Sequence, residues 1–286
     1  MKIAVLSDIH GNHVAFESCL KYLESRKMDA FIFLGDYVGE FPCTEITMDL
    51  IYELQKEYPC YIIRGNKEGY QLGGLGNDNP NWDDYPSTIG MIRYAAGHTR
   101  ERDLEFFASL PITMRVEFPG MPPIRICHGS PRHVREDIRP GYDVNREIFA
   151  EIEEKYIVAG HTHIVTDMKE HSKIVWNPGS VGVALDGSSQ AQFMILHGIE
   201  GKWEPEFLTV AYDTDKVIQE MKDENLYELA PYWTKVSESL LKGGNISHGH
   251  VLFRAMELCE QETGTCNWPE VPEKYWQQAC REMLGK

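Results

Sequence analysis

No apolar run in this 286-residue chain reaches membrane-spanning length, and Met1-Lys2 leads straight into a short strand-like Ile3-Ala4-Val5-Leu6 rather than a secretory leader. The expected location is the cytoplasm. Paired-cysteine motifs are also missing. The seven cysteines, at 19, 43, 60, 127, 259, 266 and 280, form no Cys-x-x-Cys, and their odd number leaves one unpaired in any full disulfide scheme. They read as reduced thiols. Positive charge is scarce, 28 Lys and Arg against 44 Asp and Glu, for a formal net charge of −16. Such a field disfavours long nucleic acids and anionic membranes, because both are bound through basic contacts with phosphate. A small phosphorylated ligand stays compatible with it wherever positive charge is gathered locally. Internal repeats and low-complexity tracts are absent too.

What is present is an ordinary globular composition, 42% apolar and 25% charged, over a length sufficient for a sizeable core without staples. Short apolar runs alternate with helical periodicity. After Ile3–Leu6, Asn12 is placed to cap a helix carrying Phe16, Cys19, Leu20 and Leu23. Ala30–Leu34 is a run of the kind buried in a parallel sheet, Ile46, Leu50 and Leu54 mark a second helix, and Cys60–Ile63 a third strand. This order predicts an α/β core. Residues 69–86, rich in Gly, Asn, Asp and Pro, read as a loop. Helices over roughly 87–97 and 100–110 follow, then a hairpin at 112–118 and 123–127 and a buried strand at 156–159. Further strands are expected at 164–168, 173–176, 191–197 and 204–212, with Asn177-Pro178-Gly179-Ser180 as a tight turn. From about 213 the pattern is helical, interrupted at Gly243-Gly244 and again at Pro269 and Pro272.

The polar residues recur where apolar strands stop. Ser7-Asp8-Ile9-His10-Gly11-Asn12-His13 follows the first, Gly35-Asp36 the second, Gly65-Asn66 the third, and His128-Gly129 and Gly160-His161-Thr162-His163 two later ones. In an extended segment residues i and i+2 face the same way, so Asp8 and His10 are placed to reach one cation. Ligands of open α/β sheets gather at the carboxyl ends of strands, which lets these dispersed segments converge. Seven donors, Asp8, His10, Asp36, Asn66, His128, His161 and His163, exceed the needs of one four-coordinate ion, so two are implied. Nitrogen and oxygen donors without thiolate suit manganese, iron, zinc or cobalt. Two carboxylates offset only half the charge of two divalent ions, leaving a positive centre that suits phosphate.

The ordered set Asp8-x-His10, Gly35-Asp36-x-x-Gly39, Gly65-Asn66, His128-Gly129 and Gly160-His161-x-His163, extended by Asn177-Pro178-Gly179-Ser180, resembles the calcineurin-like metallophosphoesterase family. The resemblance implies a four-layer αββα sandwich over 1–212 with a helical C-terminal appendage over 213–286. It implies that Asp8, His10, Asp36 and His163 hold one ion and Asp36, Asn66, His128 and His161 the other, Asp36 bridging, with manganese and iron favoured. Paired metals lower the pKa of a water, clamp phosphoryl oxygens and neutralise charge developing in an in-line displacement. The chain as a whole looks like bacterial members related to diadenosine tetraphosphatases and small phosphodiesterases. A nucleotide or dinucleoside polyphosphate is the leading substrate class. Asp36, Asn66, Lys67 and His128 are the residues expected in catalysis, Lys67 and Arg132 those expected on substrate.

Lys67 departs from the pattern, because similar members usually carry His there. Either its ammonium, pushed to a lower pKa by two cations, serves the leaving oxygen, or it points to solvent. Arg132 reads either as a phosphate contact or as a solvated loop residue. His13 is more at home in packing or an outer contact than as a ligand. Trp82 and Tyr85 either stack on a base or, more in keeping with such loops, anchor the loop. His248 and His250 sit at the start of a helix over 251–259, as capping-region residues or as a lid. Cys127 faces away from His128, into the core. A competing reading comes from relatives of this fold that serve as interaction scaffolds. Oligomeric state is open, a homo-oligomer included.

Overall fold

In the computed structural model, which describes residues 1–76 and 80–285, the chain opens as β1 (Lys2–Leu6), α1 (His13–Glu24), β2 (Ala30–Phe33), α2 (Thr44–Glu57), β3 (Cys60–Ile62) and α3 (Asn66–Leu72). A short 3₁₀ turn at Pro80–Trp82 precedes α4 (Pro86–Gly97) and α5 (Glu101–Ser109). Then come β4 (Thr113–Val116), β5 (Ile124–Cys127), α6 (Asn145–Ala150), β6 (Tyr156–Ala159), β7 (Thr166–Glu170), β8 (Lys173–Asn177), β9 (Ala191–Ile199) and β10 (Lys202–Val210). The rest is helical: α7 (Thr214–Asp223), α8 (Leu226–Leu229), α9 (Pro231–Leu241), α10 (His248–Thr263) and α11 (Glu273–Leu284).

Two five-stranded sheets result, ordered β10-β9-β1-β2-β3 and β4-β5-β6-β8-β7. In the first, β1, β2 and β3 run parallel, β9 antiparallel to β1, and Ala4 pairs with Phe31 and Ile195 on either side. In the second, β5, β6 and β8 run parallel, with β4 and β7 as antiparallel edges. The two-residue side-chain period of a strand sorts each sheet's faces. Ile3 and Val5 point inward to meet Ile126, Val158 and Trp176 of the other sheet. Ala4 and Leu6 point outward against Phe16 and Cys19 of α1 and Phe107 of α5. On the far side Cys127, Ile157 and Val175 pack against Ile148 and Phe149 of α6. The outcome is the four-layer αββα arrangement with C-terminal helices.

Three local readings change. The loop expected from residue 69 begins later, because α3 continues through Gly69 to Leu72. What holds α3 is the Glu68 carboxylate, which accepts from the amide of Gly65 at 2.8 Å as a cap. Helix α10 begins at His248 rather than 251, the Ser247 hydroxyl accepting from the His250 amide at 3.3 Å. Helix α6 had no counterpart in the sequence pattern, its six residues being too few to show a period. The expected Asn12 cap is in place, its side chain accepting from the Ala15 amide at 3.1 Å.

The C-terminal helices have their own core. Met221, Leu226, Val236, Leu240, Val251 and Trp276 cluster there together with Met91 and Tyr94 of α4 and with Phe41, from the loop after β2. That packing brings α9 and α10 over the loops that follow β2 and β3. All seven cysteines are free. Among the described residues no helix is long and apolar enough to cross a membrane.

Candidate metal centre

The seven donors stand one to four residues beyond the ends of β1, β2, β3, β5 and β6, six in loops and Asn66 as the first residue of α3, so both sheets contribute to one point. The loops are tied in pairs. Asp8 and His10 amides donate to Gly35 O at 3.1 Å and Asp36 O at 2.9 Å, and the Gly160 amide donates to His128 O at 2.7 Å. The His161 amide donates to Asp8 Oδ2 at 3.1 Å and so joins the two sheets' loops. At that crossing residue 160 must be glycine: a Cβ there would stand 2.2 Å from Ser7 Oγ. Gly65 is under the same constraint, its Cβ position lying 2.2 Å from Asp36 Oδ1.

Asp8, His10, Asp36, His161 and His163 all have φ between 54° and 65°. The extended geometry expected of Asp8 and His10 is therefore replaced by left-handed backbone, which costs a non-glycine residue on the order of 1 kcal/mol or more. Five such residues in one cluster is the signature of a site whose side-chain aim outweighs local backbone preference.

The side chains meet closely. Nε2 of His10 and Nε2 of His163 are 3.1 Å apart, and Asp8 Oδ1 lies 3.2 Å from His163 Nε2 and 3.7 Å from His10 Nε2. His128 Nε2 stands 3.2 Å from Asn66 Oδ1 and 3.5 Å from Asp36 Oδ2. Of the three groups among the described residues with geometry fit for a cation, two lie here, Asp8 with His10 and His163 and Asp8 with Asp36 and His128; the third, His13 with Cys43 and Glu220, lies outside the cleft. His161 stands beside the second, its ring 5.1 Å from that of His128 and its Nε2 3.5 Å from Asp137 Oδ1.

The residues present fit transition-metal ions. Asp8 Oδ1 is buried with no hydrogen-bond partner, while Oδ2 is taken by Ser7 Oγ and the His161 amide. An orphaned buried carboxylate oxygen is costly unless a cation meets it. Nδ1–H of His128 donates to Leu34 O at 2.8 Å and Nδ1–H of His163 to Val183 O at 3.0 Å, tautomers that leave both Nε2 lone pairs free for coordination. Electrostatics point the same way. Burial works to raise both carboxyls, yet His163, His10 and His128 hold Asp8 well below its usual range, and His128 and His10 hold Asp36 at about 2. Burial opposes an imidazolium at His128, but Asp36 and Asp8 push it up to about 10. The carboxylates draw positive charge inward, and a proton there competes with a metal ion.

Around the donors lies a cleft of about 650 Å³. Lys67 does not point to solvent. Its ammonium pairs with Glu40 in the cleft and lies 5.4 Å from the Trp233 ring centroid. The expected downward pKa shift is not produced by the chain's own groups: burial works to lower it, and Glu40, Tyr70 and Asp36 more than offset that. Glu40 in turn is held well below its usual range against burial, chiefly by Lys67. Arg132 is outside the cleft lining; its guanidinium is engaged by Glu136, with Glu151 at 3.4 Å and Glu147 at 3.7 Å. The guanidinium groups that do line the cleft belong to Arg135 and Arg139, which sequence reasoning passed over. Trp82 and Tyr85 also lie outside it, and the aromatic side chains in its lining are Tyr70, Trp233, Phe253 and Trp268. His248 and His250 are in the lining too, His248 buried against Trp233 at 4.7 Å between ring centroids. His13 is outside, between Glu17 and Glu220, each at 3.2 Å.

Residues 1–201 match the family model described as calcineurin-like phosphoesterase superfamily domain. An uncharacterized protein of Methanocaldococcus jannaschii is 26% identical over 243 residues, which is 79% of this chain and 94% of that protein. A metallophosphoesterase from Sphaerobacter thermophilus superposes with a TM-score of 0.68 at 23% identity, covering 85% of this chain and 99% of that one. A hypothetical protein from Pyrococcus horikoshii superposes with a TM-score of 0.70 at 22% identity over the same shares. Both structures share the fold.

Proposed function

The chain belongs to the calcineurin-like phosphoesterase superfamily, and on that footing we propose that it is a dinuclear-metal-dependent hydrolase of a phosphate ester or anhydride in a small, nucleotide-like substrate. The observation that carries the reading is the orphaned, buried Asp8 Oδ1 facing His10 and His163, with His128 and Asp36 beside it. When bound there, two divalent ions, with manganese and iron favoured over zinc and cobalt, supply Lewis-acid activation of water and neutralise charge on the phosphoryl group.

The chain's own residues do the positioning. Leu34 O and Val183 O fix the His128 and His163 rings through Nδ1, so that both Nε2 atoms face the site. Asp36 is held twice, its Oδ1 accepting from the Lys67 amide at 2.8 Å and its own amide donating to Glu68 at 2.9 Å. Lys67 and Arg135 supply the positive charge that an anionic substrate needs on entering a chain of net charge −16. Lys67, braced by Glu40, is placed to balance charge on the leaving oxygen.

The test is product-resolved chromatography of manganese-loaded protein with phosphomonoesters, phosphodiesters and dinucleoside polyphosphates, Asp36→Ala serving as the blank. Turnover confined to the unaltered protein supports the reading and names the bond cleaved. Absence of turnover with manganese, iron, zinc and cobalt in turn removes it and leaves a binding module.

A further inference from the structure

The cleft has a wall that phosphoryl chemistry leaves unused. On one side stand His10, Asp36, Asn66, His161 and His163; on the other, the C-terminal helices present Trp233, Leu252, Phe253, Met256 and Trp268. Phe253 is 71% exposed, the most exposed of the large apolar side chains described, and Trp268 is 39% exposed. Among the described residues neither ring, nor that of Tyr70 opposite, has an aromatic partner, whereas Trp233 is backed by His248 and meets Trp276 edge-on at 5.8 Å. Trp233 is thus a fixed support, its indole N–H donating to Glu40; Phe253 and Trp268 offer free faces, and the Tyr70 ring has the Lys67 ammonium 5.9 Å from its centroid.

These rings adjoin the donors rather than lying at random on the surface. A recess of about 90 Å³, lined by Tyr70, Thr88, Met91, Ala95, Leu252 and Trp268, opens beside Lys67, one residue from Asn66. Lys67 itself is kept in place over the Gly39 backbone, where a Cβ would come within 3.1 Å of its Cδ. Anything esterified to a phosphoryl group at the donors therefore meets aromatic surface next. An aliphatic group would gain only burial there, while a flat ring gains burial and stacking together.

Resting on the hydrolase reading above, we propose that this wall, built by α9, α10 and the α10–α11 connection with Tyr70, is the subsite for an aromatic ring on the substrate's ester side, a nucleobase or another aryl group. The C-terminal helices then set specificity while the donors set chemistry.

Calorimetric titration of the manganese-loaded full chain with adenosine monophosphate, phenyl phosphate, glycerol phosphate and inorganic phosphate tests this. Both ring-bearing ligands are expected to bind about tenfold or more tighter than glycerol phosphate. A preference for the nucleotide over phenyl phosphate identifies a base subsite, and equal affinity identifies one for rings in general. The advantage is expected to vanish in Phe253→Ala/Trp268→Ala and to persist in Phe253→Tyr/Trp268→Phe, which keeps rings at both places. No ring advantage in the unaltered protein, or one that survives the alanine pair, overturns the proposal. Binding is read without turnover, so the two readings fail separately. A protein that hydrolyses nothing yet prefers ring ligands loses only the hydrolase reading, and one that hydrolyses esters without ring preference loses only the subsite.

Discussion

Glu68 holds Asp36 by the backbone: its buried carboxylate accepts from the amides of Asp36 at 2.9 Å and Tyr37 at 2.7 Å, and also from Gly65 at 2.8 Å. Three amides on one carboxylate clamp the loop after β2 to the start of α3, which carries Asn66. Burial, with Asp36 close by, raises the Glu68 carboxyl to about 7 despite those amides. In Glu68→Gln the side chain keeps one acceptor oxygen and turns an NH₂ toward an amide. The expected result is a loss of about 1–3 kcal/mol in urea unfolding, from the unsatisfied amide. A fall in kcat of roughly tenfold to a hundredfold should accompany it as Asp36 shifts.

Arg135 and Arg132 make a discriminating pair. Arg135 lines the cleft, and among the described residues it makes no ion pair. Arg132 is spent on Glu136, Glu147 and Glu151. Steady-state kinetics should show KM for a phosphate ester rising about tenfold in Arg135→Ala, the loss expected of one charge-assisted contact. Arg132→Ala should leave KM within about twofold and the urea midpoint little changed, since solvent screens its surface ion pairs.

Lys67 and Glu40 are coupled, and their roles separate in a double-variant cycle. Lys67→Met strands a buried carboxylate, so it should lower both stability and kcat/KM. Adding Glu40→Gln removes the stranded charge and should restore much of the stability, about 3 kcal/mol being typical of an uncompensated buried partner. It should not restore kcat/KM, because the ammonium is still missing. Recovery of both would reduce Lys67 to a structural residue.

His248 ties stability to pH. Its ring is buried against Trp233 with Ser237 Oγ 2.8 Å from Nε2, and burial lowers its pKa from 6.5 to about 4. The unfolded chain takes up a proton near 6.5 and the folded chain only near 4. The group's contribution is therefore whole above pH 6.5, declines as pH falls toward 4 and levels off below, a span on the order of 3 kcal/mol. Urea midpoints measured between pH 7.5 and pH 4.5 should fall less steeply in His248→Gln than in the unaltered protein.

The legible part of this molecule was whatever repeats along the chain or follows a strand. Ala30–Leu34 and Tyr156–Ala159 announced themselves by apolar runs, and Asp36 and His161 by the polar residues that end those runs. Left-handed backbone at Asp8 and His10 was not legible, since neither is glycine and only tertiary contacts impose it. Arg132 drew attention as the arginine that follows His128-Gly129-Ser130-Pro131, whereas the chain turns there, the Ser130 amide donating to His133 O at 3.1 Å, and it is Arg135 that lines the cleft. The aromatic wall was invisible for a different reason. Trp233, Phe253 and Trp268 lie about seventy residues or more beyond His163, and no spacing rule connects a helix face to a loop that distant. Glu40 was missed because a carboxylate in a Gly-Glu-Phe-Pro turn looks solvated until Lys67 and Trp233 are seen to close on it.

The central claim is that Asp8, His10, Asp36, Asn66, His128, His161 and His163 bind two catalytic metal ions. Chelator-stripped protein titrated with manganese should be inactive at the start, regain phosphate-ester hydrolysis in proportion to added metal and saturate at about two equivalents per chain, while Asp36→Ala recovers no activity. Full turnover after complete removal of metal, or equal metal-dependent turnover in Asp36→Ala, would contradict it.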